Sequence, residues 1–205
     1  MLNAFFHLYL GHLFGDYVLQ NGWIALGKLR SRSILFLHVL LVTLSHVFFA
    51  YGKGFGWKQL LAIFGIGALH YITDMTKIKV SSKGWIGYSA DQFVHVLIIL
   101  IFLGFFKDVS FWLPEWISIR LAFSIFNAYL IGILFHTVFN RGGYRRDILG
   151  YVFRGIFPWL GSVWLTVVVF LVGIWSCGKV YRQRKDVISS LIVSAALTIM
   201  WEVFV

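Results

Sequence analysis

The 205-residue chain has one cysteine, Cys177. That excludes an intramolecular disulfide and any cysteine-rich zinc site, and a lone thiol in an apolar run is expected to be inert packing. Charged residues are scarce, at 13% against about 25% in soluble domains, while hydrophobic residues reach 60% against about 45–50%. With a mean hydropathy of +0.83, this is the composition of an integral membrane protein. Low-complexity segments are absent, and the His/Asp pairs described below are the only convincing internal repetition. No cleavable leader is expected: the first apolar run carries His12 and Asp16 and has neither a basic n-region nor a small-residue cleavage site. No Ser–His–Asp ordering or nucleophilic cysteine stands out, and GKGFG at 52–56 has no strand before it to make a phosphate loop.

Long apolar runs dominate what is present. A spanning helix needs about 20 mostly apolar residues, and seven stretches qualify: 2–20, 33–51, 57–76, 91–106, 117–139, 156–175 and 187–204. The runs are continuous rather than alternating, which argues against strands. The expectation is an all-α, polytopic membrane bundle of about seven transmembrane helices. It forms one domain over 1–205, with a four-helix half at 1–106 and C-terminal helices of unassigned role at 107–205. Residues 144–156 fit either a basic loop or a short interfacial helix with Arg and Asp toward water.

The net charge of +10 comes mostly from cations between the runs. They read as topology determinants meeting anionic headgroups rather than as a nucleic-acid surface. Lys28, Arg30 and Arg32, then Lys77, Lys79 and Lys83, then Arg141, Arg145, Arg146 and Arg154 load the odd-numbered loops. The positive-inside rule therefore puts those loops in the cytoplasm and the N-terminus outside, in the inner membrane. The last loop, with Lys179, Arg182, Arg184 and Lys185, disagrees.

Within the apolar runs, HLFGD holds His12 and Asp16, HYITD holds His70 and Asp74, and DQFVH holds Asp91 and His95. Residues at i and i+4 share a helix face, so each pair can aim at one place. His38 joins them early in the second run. All seven fall at the odd-loop end of their helices, hence at one depth in an up-and-down bundle. A carboxylate at a helix centre costs about 2.5–3.5 kcal/mol on insertion scales and normally faces a bundle interior. The donor mix suits one or two zinc, manganese or iron ions built from facing helices. Hydrogen-bonded packing and a proton or ion path remain open for the same residues. Gln20 and Gln92 are candidates for orienting a ligand or binding substrate, and Lys77 for meeting a phosphate, although it could equally snorkel to the headgroups. His136 is a weaker candidate. His7 and His46 suit packing near the other side, while Asp108, Glu115, Asp147, Asp186 and Glu202 read as loop or interfacial charges.

HLFGDYVLQ with Trp23 and Lys28, Leu37–His38, HYITDMTK at 70–77 and DQFVH at 91–95 together resemble the bacterial membrane family of domain of unknown function 3307. The resemblance covers about residues 7–100 and supports these site residues without fixing a reaction. Size and His/Asp-rich helix ends also give a looser likeness to bacterial inner-membrane metal-dependent hydrolases. The leading expectation is thus a metal-dependent hydrolase of a lipid or other amphipathic ester or phosphoester at the cytoplasmic leaflet. Asp16 or Asp91 would be the proton acceptor, and Lys77, Lys79 and Lys83 would attract an anionic headgroup. The alternative is a small transporter, ion or proton pathway, or membrane partner subunit with a structural His/Asp cluster. Membrane lipids are the expected partners; further subunits or oligomers are open, and nucleic acid is not expected.

Overall fold

The computed structural model describes the backbone of residues 1–80, 84–139, 147–181 and 184–204, and their side chains apart from those of 78–80 and 204. Lys79, Lys83, Arg141, Arg145, Arg146 and Arg182, expected as loop cations, lie outside the described side chains. The chain folds as two compact units, Met1–Ala122 and Phe123–Val205.

The first unit is helical throughout its apolar runs. Helix α1 (Leu2–Leu13) passes directly into a π-helical turn (Phe14–Leu19). A short α2 (Gly22–Gly27) follows, capped by Asn21, whose Oδ1 accepts from the Ile24 amide at 2.9 Å. Then come α3 (Arg32–Ala50), α4 (Trp57–Val80), α5 (Trp85–Phe102) and α6 (Glu115–Ile125), the last crossing the boundary between the units. A two-residue antiparallel pair, β1 (Gly52–Lys53) with β2 (Ser110–Phe111), ties together the loops at one end. At that same end a core of Ala4 and Leu8, Ala50, Ala62, Ile63 and Ile66, and Ile98, Ile99 and Leu103 packs α1, α3, α4 and α5 together. Since these helices run alternately up and down, His12, Asp16, His38, His70, Asp74, Asp91 and His95 all fall on the other side of this core.

The second unit contains a further π-helical turn (Phe126–Ile131), α7 (Gly132–Phe139), α8 (Ile148–Ile156), α9 (Val163–Val180) and α10 (Lys185–Phe204). Phe157, Cys177, Val187, Leu191 and Ala195 form its core, so the thiol is packing, as expected.

Five helices among the described residues are long and apolar enough to cross a membrane: Arg32–Ala50, Trp85–Phe106, Glu115–Phe139, Val163–Val180 and Lys185–Val203. The other two expected stretches are helical, as α1 with its π turn and as α4, which carry His12 and Asp16, and His70 and Asp74, respectively, but neither is among these five, so five candidate spans stand where about seven were expected. Several boundaries move. Helix α5 starts at Trp85, so Asp91 and His95 lie inside it rather than opening it, and Lys77 lies within α4. The expected run 156–175 is displaced to Val163–Val180, because Pro158 sits in a 3-10 turn that separates α8 from α9.

The largest corrections concern charge. Helix α8 forms, but Arg154 does not face water; it is fully buried. Its Nη1 donates to Asp147 Oδ2 and Ser190 Oγ, both at 2.8 Å, and Nε and Nη2 donate to the carbonyls of Asn127 and Ala128. Those carbonyls belong to the π turn, where the backbone ladder shifts and frees acceptors. Asp147 and Asp186, expected as interfacial charges, are buried as well; Asp186 meets Arg184 and lies 3.4 Å from His136 Nδ1.

Candidate metal centre

Four helical segments deliver the site. Helix α1 and its π turn supply His12 and Asp16, α3 supplies His38, α4 supplies His70 and Asp74, and α5 supplies Asp91 and His95. All seven are buried, each 8% exposed or less. Backbones can approach closely here because Gly11 and Gly15 face α3: a Cβ on Gly15 would lie 2.6 Å from the Val42 Cα, and one on Gly11 2.9 Å from the His46 Cα. This small-xxx-small spacing is the usual means of close approach between membrane helices, and it alternates along the helix with His12 and Asp16.

Four imidazole Nε2 atoms and three carboxylates converge. His38 Nε2 lies 3.3 Å from Asp16 Oδ1, 3.4 Å from Asp74 Oδ2 and 3.3 Å from His70 Nε2. His70 Nε2 is 3.5 Å from Asp16 Oδ1. His12 Nε2 is 3.7 Å from Asp16 Oδ2, and His95 Nε2 is 3.7 Å from Asp74 Oδ1 and 3.6 Å from Asp91 Oδ1. Asp16 and Asp74 thus each turn one oxygen toward His38 and the other toward a different imidazole.

These separations are long for hydrogen bonds, and His12 Nε2, His95 Nε2, Asp16 Oδ1 and Asp91 Oδ1 are buried without one. They are the right length for atoms sharing a metal: bonds of about 2.0–2.2 Å arranged tetrahedrally set ligand atoms about 3.3–3.6 Å apart. Three overlapping triads, His12–His70–His95, Asp16–His38–His70 and Asp74–Asp91–His95, have ligand atoms close enough to share an ion. The donor chemistry and the unpartnered atoms both fit a divalent cation.

A second layer of polar groups surrounds the cluster. Gln92 reaches Asp91 Oδ2 at 3.3 Å and lies against His12. Lys77 Nζ donates to Asp91 Oδ2. Lys28 Nζ donates to Asp74 Oδ2 at 2.8 Å and lies 3.2 Å from His38 Nε2. Lys28 was expected only as a loop cation and a member of the family motif; its position in the cluster was missed. Tyr17 and Tyr88, also missed, hydrogen-bond through their hydroxyls at 2.7 Å, one directly after Asp16 and the other one turn before Asp91. Gln20 ends the π turn with a buried Oε1 that makes no hydrogen bond.

The remaining histidines separate from the cluster by degrees. His7 packs elsewhere, bonded to the Asn3 and Leu113 carbonyls. His46, expected at the far side, lies next to the cluster, its ring centroid 6.5 Å from that of His12. His136 belongs to the second unit, with Asp186.

No curated protein and no solved structure matches the chain. The family described as protein of unknown function, DUF3307, matches residues 4–123, a span that holds all seven converging residues together with Lys28, Lys77 and Gln92. The match covers more than half of the chain, which therefore belongs to that family.

Proposed function

We propose that the protein is an inner-membrane, metal-dependent hydrolase acting on a lipid or other amphipathic ester or phosphoester at the cytoplasmic leaflet. The observation that carries this reading is the convergence of four imidazoles and three carboxylates from four helical segments in one buried cluster. Helix α1 with its π turn and α4 complete the five apolar helices as seven spans, and the basic odd-numbered loops set the cluster on the cytoplasmic side.

In this reading the seven side chains would hold one or two zinc, manganese or iron ions. A divalent ion supplies Lewis acidity and lowers the pKa of a bound water toward neutrality. The chain's own groups do the rest. Asp91, whose Oδ2 is held by Lys77 and Gln92, would accept a proton from water, and Asp16 is the other carboxylate suited to that role. Lys77, half-exposed beside Asp91, would meet an anionic headgroup.

Metal analysis of detergent-purified protein tests the site. The native chain should carry about one to two ions, and His70→Ala and Asp74→Ala should lower retention by at least about tenfold, since even partners outside the ligand set are worth about 10–100-fold. Metal below stoichiometry in the native protein, unchanged in both variants, would overturn the reading. Incubating the metal-loaded protein with bacterial phospholipids and identifying products by mass spectrometry then separates an enzyme from a structural centre.

A second reading, an ion or proton pathway, draws on α10. Asp186, Ser190, Ser194, Thr198 and Glu202 recur every fourth residue along that helix, a rise of about 24 Å. Facing groups include Asn127, which donates to Thr198 Oγ1, and the hydroxyls of Ser194 and Thr166 are buried without partners. Arg154 stands against cation flow along this row, because its guanidinium is bonded to Ser190. The hydrolase reading is therefore preferred.

A further inference from the structure

A groove borders the site at Asp91. It has a volume of about 330 Å³ and lies between α4 and α5, lined by Ile72, Thr73, Thr76 and Lys77 from one helix and Gly87, Ala90, Asp91 and Val94 from the other. Its walls face outward: Ile72 is 52% exposed and Val94 38%. Gly87 and Ala90, one turn apart, leave the space that larger side chains on α5 would fill. Both threonine hydroxyls are turned back onto their own helix, Thr73 to the Leu69 carbonyl and Thr76 to that of Ile72, so the wall they contribute is methyl-lined.

The polar end of the groove is the Lys77–Asp91 pair, and Asp91 belongs to the cluster. Its Oδ2 takes the Lys77 ammonium, while its Oδ1 faces His95 at 3.6 Å. One carboxylate is therefore both a lining group of the groove and a member of the candidate metal centre. The Lys77 side chain remains 38% exposed, against 6% for Asp91, so its ammonium is the accessible charge. Apolar walls open to the bilayer and a cation at the inner end match an amphiphile with a hydrocarbon tail and an anionic head.

We propose that this groove is the lateral binding site for an anionic membrane lipid, whose tail lies between α4 and α5 and whose phosphate is met by Lys77 beside Asp91. The proposal deepens the hydrolase reading by naming its substrate class and rests on that reading for chemistry, but lipid binding itself requires no turnover.

The full chain, purified and incubated with equimolar phosphatidylglycerol and phosphatidylcholine, is examined by native mass spectrometry for retained lipid. The native protein should retain phosphatidylglycerol at least about fivefold over phosphatidylcholine. Ala90→Phe, which fills the groove, should lose both lipids, and Lys77→Gln should lose the headgroup preference while keeping some lipid. Leu100→Phe, on the exposed part of α5 beyond the groove, should behave as the native chain. A photoreactive phosphatidylglycerol should label α4 and α5 in the native protein and not in Ala90→Phe, a readout that survives partial loss of stability. Equal retention of the two lipids by the native chain, or unchanged retention and labelling in Ala90→Phe, would overturn the groove. His70→Ala separates the two readings: selective lipid retention in it, with no hydrolysis by the metal-loaded native chain, upholds the groove and removes the hydrolase. Hydrolysis undiminished in Ala90→Phe does the reverse.

Discussion

Arg154 shows most directly how a single residue holds part of this molecule together. Its guanidinium joins α8 to the carbonyls freed by the second π turn, to Asp147 and to α10 through Ser190. Removing one partner of a buried pair leaves the other charge uncompensated, at a cost of about 3–5 kcal/mol. Arg154→Met should therefore lower the unfolding temperature in detergent sharply, and the double variant Arg154→Met/Asp147→Leu should recover a large part of the loss. If the single variant is as stable as the native chain, the latch is incidental. Nothing in the neighbouring sequence announces this role. The pattern around Arg154 reads as an amphipathic surface helix, and the partners that bury it lie about 26 positions before it and 36 after it. Lys28 was hidden in the same way: a lysine in a loop reads as a topology signal, and its contacts with His38 and Asp74 depend on how α2 turns back, which local spacing does not encode.

At the scale of the helix, the legible features were the ones that depend on one period. His70 with Asp74 and Asp91 with His95 fall one turn apart on regular α-helix, and the spacing alone placed each pair on a common face. His12 and Asp16 were equally legible as a pair, although the helix widens to π geometry between them. The start of α5 was not legible, because the stretch before Asp91 is rich in glycine and serine and resembles a loop until Trp85 and Ile86 are seen to be helical. Close approach of α1 and α3 was also missed, although Gly11 and Gly15 carry it. Gly15→Val should cost about 1–3 kcal/mol through overpacking against Val42 and should reduce bound metal without altering any ligand. Gly22→Ala, where an added Cβ meets nothing within 4 Å, is the matched control. Metal content that is the same in both variants would show that this contact does not position Asp16.

For the whole molecule, the all-helical class was readable because a bilayer requires it of long apolar runs: five of the seven expected spans are helices long and apolar enough to cross a membrane. The chain was expected as one domain with halves at 1–106 and 107–205; its contacts instead divide between Ala122 and Phe123, inside α6, a boundary that no break in the sequence marks. Orientation can be measured with the single native thiol left in place, because Cys177 is fully buried. Ser31→Cys should react with an impermeant maleimide only from the cytoplasmic side and Gly56→Cys only from the other. The reverse pattern would move the cluster to the outer leaflet and would remove the cytoplasmic-leaflet assignment.

Asp91 uses its two oxygens in different directions, and this has a thermodynamic consequence. A cation drawn to Oδ1 withdraws charge from Oδ2 and weakens its hold on the Lys77 ammonium. The freed ammonium then binds a phosphate more strongly. If the centre takes a metal and the groove a lipid, linkage makes the effect reciprocal: an anionic lipid that engages Lys77 would tighten the metal by the same factor that the metal tightens the lipid. Titrating metal into the protein with and without phosphatidylglycerol should therefore give two affinities whose ratio disappears in Lys77→Gln. A centre coupled in this way would fill with metal at a lower concentration where anionic lipid is plentiful.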